Sequence, residues 1–155
     1  MAQIVVSSYK EWKALEGKSF GVSDYLEIDQ QRINRFAEAT GDFQWIHLDV
    51  ERARRESPFG STIAHGYLTL SLLPPLLAQI VETRNSRMTV NYGVENLRFG
   101  QPVPTGGRVR LLADVMEVKD LRGITRVRIG VRMELENEKK PVFTGSILLL
   151  YHFNS

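Results

Sequence analysis

The chain has 155 residues, 43% of them hydrophobic and 25% charged, with a formal net charge of +2. That balance excludes a disordered chain and leaves room for one domain with its own core, expected over residues 1–155. No cysteine is present, which excludes disulfides, thiolate chemistry and cysteine-bound zinc and suits a reducing compartment.

The N-terminal run MAQIVVSSYKEW has no basic start followed by a sustained apolar stretch. No export signal is read there, and a cytoplasmic location is expected. Tyr9 to Leu15 reads as a short helix stopped at Gly17, and Phe20 to Ile28 as a strand. Asp29 caps a helix in which Ile33, Phe36 and Ala37 share one face, and Thr40-Gly41 ends it. Asp42 to His47 follows as a loop. Asp49 then caps a short charged helix, ERARRE, and Ser57 to Ser61 is a turn.

Ala64 to Val81 reads as the central helix. Leu68, Leu72 and Leu76 lie four apart, and Tyr67, Leu70, Leu73 and Leu77 fill much of the remaining circumference, so burial is expected. Pro74 and Pro75 should kink or divide it. Its apolar stretch falls short of the ~20 residues a membrane span needs, so no membrane association is expected. After Arg84 the period becomes two. Val109, Leu111, Ala113 and Val115 alternate with polar residues, as do Val127, Ile129, Val131 and Met133, and Lys119 to Gly123 joins the two runs as a turn. Val142 to Phe153 is a last strand. The pattern predicts an α+β domain: a curved antiparallel sheet wrapped round a buried central helix, the hot-dog architecture.

Three segments bear on chemistry. In G41-D-F-Q-W-I-H47-L-D49 a carboxylate and an imidazole lie five residues apart, directly after a helix end. Converging on one water, Asp42 and His47 would form a general acid/base pair. The same residues also fit a turn cap and a hydrogen-bonded loop histidine. Asp42, His47 and Asp49 are donor types that divalent ions accept, but they lack a recognised ligand framework, and no metal is expected. In A64-H65-G66-Y67-L68-T69-L70-S71, the first-turn glycine offers a bare N–H at the positive end of a helix, where an oxyanion could be held; equally, Gly66 permits close packing and Ser71 is a small residue on a crowded face. Arg108 and Arg110 share one side of a strand, and Arg126, Arg128 and Arg132 one side of another, as on a solvated sheet face. Arg98 and the Arg52, Arg54, Arg55 cluster could meet phosphates. With the arginines spread along strands and no nucleic-acid motif, the basic pI of about 9.0 does not point to nucleic acid.

The runs ATGDFQWIHLD and SPFGSTIAHGYLTLSLLPPL, with YGVENLRFGQPVPTGGRVRLLADV further on, resemble the MaoC-like dehydratases, which include the (R)-specific enoyl-CoA hydratases. Gln44-Trp45, where the hydratases commonly have Asn-Pro, is similar to the nodulation protein N branch. The resemblance implies a hot-dog fold, a homodimer and an acyl-CoA substrate, with an acyl-carrier-protein thioester as a second carrier. Asp42 and His47 match the pair that holds the catalytic water, Asp42 being the expected base. Gly66 matches the glycine whose N–H faces the thioester oxygen, and Ser71 a helix serine often placed near the aspartate.

The reaction implied is reversible hydration of a trans-2-enoyl-CoA to an (R)-3-hydroxyacyl-CoA, with no metal or redox cofactor. The alternatives are a hot-dog acyl-CoA thioesterase, which needs a carboxylate at the carbonyl carbon, and a non-catalytic acyl-thioester-binding protein, which would be expected to have lost one of the pair.

Overall fold

In the computed structural model, which describes residues 3–155, the chain opens with β1 (Ile4–Val6), α1 (Tyr9–Lys13), β2 (Ser19–Val22) and β3 (Leu26–Ile28). Helices α2 (Gln30–Thr40), α3 (Trp45–Leu48), α4 (Val50–Glu56), α5 (Gly66–Ser71) and α6 (Leu73–Ile80) follow. The rest is strand: β4 (Val81–Thr83), β5 (Ser86–Phe99), β6 (Gly107–Leu121), β7 (Ile124–Leu135) and β8 (Pro141–Phe153). Six strands form an antiparallel sheet in the order β2-β6-β7-β8-β5, with β3 also on β6; β1 and β4 pair in parallel as a separate ribbon.

Period-two alternation builds the long ladders. Val109, Leu111, Ala113 and Val115 of β6 and Val127, Ile129, Val131 and Met133 of β7 point into the core, all buried. β6 runs on to Leu121, so the turn is only Arg122-Gly123, shorter than expected. Both residues have positive φ, 55° and 96°, the backbone of a primed hairpin turn whose twist matches its strands. On the outer face the arginines meet cross-strand carboxylates: Arg108–Glu136 at 2.9 Å, Arg110–Glu134 at 3.2 Å, Arg126–Glu117 at 3.1 Å, and Arg128 with Glu95. The single strand expected over Phe20 to Ile28 is two. Between them Ser23 turns its side chain into the ladder, its hydroxyl accepting from Leu111 N–H at 2.8 Å.

The central helix breaks at Leu72, and Pro74 and Pro75 sit in the first turn of α6, where a missing N–H loses no helical bond. Burial is one-sided. Leu68, Leu72, Leu73, Leu76, Leu77 and Ile80 are buried, whereas Tyr67 is 69% exposed and Pro74, Pro75, Ala78 and Gln79 face outward. The central helix is buried as expected on the side that meets the sheet, and its other side is open because one sheet can wrap only one side of a helix.

Strand β5 escaped the sequence pattern. Register shifts at Ser86/Met88, Asn91/Gly93 and Glu95/Arg98 break its alternation. It pairs with β8 alone, leaving its other edge open along 14 residues, with Met88, Val90, Tyr92, Val94 and Phe99 exposed.

Candidate active site

Helix α2 begins as expected, with the Asp29 carboxylate accepting from Arg32 N–H at 2.8 Å, and ends at Gly41 in the left-handed region (φ 80°). Asp42 therefore leaves directly from the helix end. His47 does not lie in a loop: it belongs to α3, a single helical turn closed by Asp49 N–H on the Trp45 carbonyl at 3.0 Å. Two tethers hold that turn. His47 Nδ1 donates to the Ile63 carbonyl at 2.7 Å. The Gln30 amide nitrogen donates to the His47 carbonyl at 2.7 Å, while the Gln30 amide oxygen accepts from the buried Thr62 hydroxyl at 2.5 Å.

The bond to Ile63 decides the tautomer. A carbonyl only accepts, so Nδ1 of His47 carries the proton and the neutral ring keeps its lone pair on Nε2. Burial pushes the His47 pKa below its ordinary 6.5, and the neighbouring His65 adds to that lowering; the Ile63 bond and the Asp42 charge oppose it without reversing it. The ring is built to be a neutral acceptor.

His65 completes the cluster. It stands at the N-cap of α5, 2% exposed, with its ring stacked on that of His47 at a centroid distance of 3.8 Å and 24° between planes. Its Nε2 donates to the Asp42 main-chain carbonyl at 3.1 Å, and its Nδ1 is buried without a partner. Asp42, His47 and His65 each bring one ligand-capable atom within 4.8 Å of the others. One water with two ordinary hydrogen bonds at a tetrahedral angle spans ~4.6 Å, so the cluster suits a shared water.

A metal fits it less well. Two imidazoles radiating from one ion at ~2.1 Å would hold their centroids roughly 5 Å apart, and the stacked rings are closer than that. Asp49, considered as a ligand with Asp42 and His47, instead caps α4 by accepting from Arg52 N–H at 3.0 Å.

Gly66 follows directly as the first residue of α5, where the leading N–H groups have no intrahelical acceptor. A Cβ there would lie 3.2 Å from the Phe99 ring, so the bare backbone and that ring are in close approach. The Ser71 hydroxyl donates within its own helix, to the Tyr67 carbonyl at 2.7 Å, rather than to Asp42. Ser71 lines a cavity of about 710 Å³ between α6 and the inner face of β5 and β8, walled by Leu73, Leu77, Val94, Ile147 and Tyr151.

Residues 12–137 match the MaoC like domain. This chain belongs to the MaoC-like family. It is 41% identical over 145 residues to the 3-hydroxyacyl-thioester dehydratase Z of Mycobacterium tuberculosis, covering 93% of this chain and 95% of that one. It is 40% identical over 149 residues to nodulation protein N of Rhizobium meliloti, covering 95% and 92%. The solved structure of an unliganded R-hydratase from Pseudomonas aeruginosa superposes with a TM-score of 0.74 at 25% identity, over 94% of this chain and 86% of that one. The hot-dog fold is therefore the family's.

Within this MaoC-like chain, the sequence pattern singled out Asp42 and His47 and passed over the groups that hold them. His65 stood inside the Ala-His-Gly run, but only the fold shows its ring against His47. Gln30 and Thr62 carried no signal, because their role depends on three segments meeting. Among the arginines offered as phosphate contacts, Arg52 is taken by Glu56 at 2.9 Å and by the Trp45 ring, and Arg54 by Glu51 at 3.1 Å. Arg98 and Arg55 have no carboxylate partner among the described residues.

Proposed function

We propose that this MaoC-like chain is an enoyl-thioester hydratase, reversibly adding water to a trans-2-enoyl-CoA to give the (R)-3-hydroxyacyl-CoA. The observation that carries the reading is a buried His47 whose Nε2 lone pair is left free, beside the Asp42 carboxylate. With Nδ1–H committed to Ile63, the free Nε2 of His47 and the Asp42 carboxylate oxygens act as acceptors, so both take the protons of one water and leave its oxygen lone pair for C3. As that oxygen attacks, one acceptor takes the proton and becomes the acid that returns it to C2. Charge withdrawn from the double bond collects on the thioester oxygen, where the Gly66 N–H is aligned with the helix dipole. The apolar cavity, reached at Leu70 one turn past Gly66, suits the acyl chain. Arg98 and Arg55, free of carboxylates, suit the CoA phosphates.

The resemblance to a 3-hydroxyacyl-thioester dehydratase supports the substrate class, in which acyl-carrier-protein thioesters are the second candidate. No metal or redox cofactor enters the reaction. The reading places the protein in the cytoplasm, in fatty acid metabolism; among the described residues no helix is long and apolar enough to cross a membrane. The open β5 edge and the outward side of α5 and α6 suit a second copy of the chain, since a long apolar edge strand left uncovered invites pairing. Light scattering should give twice the chain mass of 17.7 kDa.

The deciding experiment follows loss of the enoyl chromophore with crotonyl-, octenoyl- and longer enoyl-CoAs, with and without EDTA. Hydration of at least one substrate, unaffected by EDTA, is expected. Release of free thiol without hydration would replace the reading with a thioesterase.

A further inference from the structure

Three buried side-chain polar atoms lack a hydrogen-bond partner among the described residues: Trp12 Nε1, Arg110 Nε and His65 Nδ1. Trp12 is a core ring packed on Phe20 and Tyr151, and Arg110 is anchored on the sheet face through its other nitrogen to Glu134. His65 has no such explanation. Its side chain does not cap α5, and an orphaned buried nitrogen weakens a fold. The orphaned Nδ1 is a cost to the fold that an apolar ring at this position would not carry.

The imidazole does two things that no apolar ring does together. Its edge donates Nε2–H to the Asp42 carbonyl, and its flat face backs the His47 ring. Phenylalanine has the face without the donor, and glutamine has the donor without the face. We propose that His65 is a positioning residue, which fixes the Asp42 main chain and the His47 ring at once so that both acceptors address the same water. The claim rests on the hydratase reading.

His65→Phe and His65→Gln test it, with turnover, KM, melting temperature and backbone amide exchange measured on the whole protein. We expect His65→Phe to melt no lower than wild type, to keep KM within about threefold and to lose about tenfold or more in kcat, a loss confined to the reacting state. His65→Gln should turn over faster than His65→Phe, because it retains the donor. Amide exchange around residues 42–47 should quicken in His65→Phe and less so in His65→Gln. A merely structural histidine gives a different result, with kcat and melting temperature falling together in both variants. That result overturns the claim, as does a His65→Phe protein that fails to fold, keeps kcat within about threefold of wild type, or is not improved upon by glutamine. A wild-type protein that hydrates no enoyl-CoA defeats the hydratase reading instead. Positioning is then decided by amide exchange alone, and unchanged exchange in His65→Phe refutes it.

Discussion

On the outer face of β6 and β7, Arg108, Arg110, Arg126 and Arg128 each meet a carboxylate. At the corner between α2, α3 and α5, His47 and His65 are buried against each other with ring nitrogens left over. Both regions are rich in polar side chains, and in chemical terms they are opposites. The outer arginines meet carboxylates in a half-exposed network, in which Glu117 and Glu134 each serve two cations, so the loss of any one contact should cost little. The corner instead pins one edge of each imidazole to a main-chain carbonyl and keeps the other lone pair out of the protein's own network. Unmatched capacity, held rigidly, is what a reacting group needs and what a stabilising group avoids.

The contrast breaks first, and most severely, at the two acceptors. Asp42→Asn and His47→Gln should each lower turnover by about 10²-fold or more while leaving the fold intact, the scale of losing a positioned acid or base. Steady-state kinetics on the best enoyl-CoA, beside circular dichroism of each variant, measures this. Near-wild-type turnover in either would move the chemistry elsewhere.

Gly66 comes next. Gly66→Pro removes the N–H at a helix position that accepts proline and should cost roughly 10²–10³ in turnover at saturating substrate. Gly66→Ala keeps the N–H, but its methyl would stand 3.2 Å from the Phe99 ring, which must yield by a few tenths of an ångström. Phe99 is half exposed and free to do so, and the alanine variant should therefore be the less impaired in kcat. A proline variant above about a tenth of the wild-type rate places the oxyanion elsewhere.

Much of this was legible in the residues, and the exceptions have a common cause. The Asp29 cap, the Gly41 stop, the proline-divided helix and the β6–β7 hairpin follow from local rules, and all are present. Strand β5 leaves no period-two mark because three register shifts destroy its alternation and its apolar side chains are exposed in the lone chain. The helical turn α3 has a loop-like sequence because its stability comes from Ile63 and Gln30, distant in sequence, rather than from its own four residues. His65 belongs to the same class: a stacking partner remote in the chain leaves no local mark.

A smaller effect concerns pH. Because burial lowers the His47 pKa, its neutral accepting form persists below pH 6.5, and the acid limb of kcat/KM should lie below that value. The stability sign agrees. The unfolded chain takes up this proton near its ordinary value of 6.5 and the folded chain only at lower pH, so the contribution is intact above about 6.5 and is lost as pH falls toward the folded value. A pH–rate profile with its acid midpoint clearly above 6.5 would contradict the burial argument. In His47→Gln the limb should disappear.

The smallest effect is expected on the outer face, and it tests the comparison from the other side. Arg126 meets Glu117 at 3.1 Å, its side chain 20% exposed and that of its partner 38%. Both lie on the ladder between β6 and β7, pointing away from the core. Pairs of this kind gain little Coulomb energy beside water and lose side-chain freedom in forming, which leaves about 0.2–1 kcal/mol for the interaction. Arg126→Ala and Glu117→Ala, singly and together, measured by urea denaturation as a double-mutant cycle, should therefore couple weakly. Added salt should erode the coupling further. Turnover should stay within about twofold of wild type in all three, since neither residue reaches the lone pairs of the corner. A tenfold loss of turnover at Arg126 with stability unchanged would mean that the paired face also serves the reaction. The division between matched and unmatched polar groups would then fail as a guide to where this protein works.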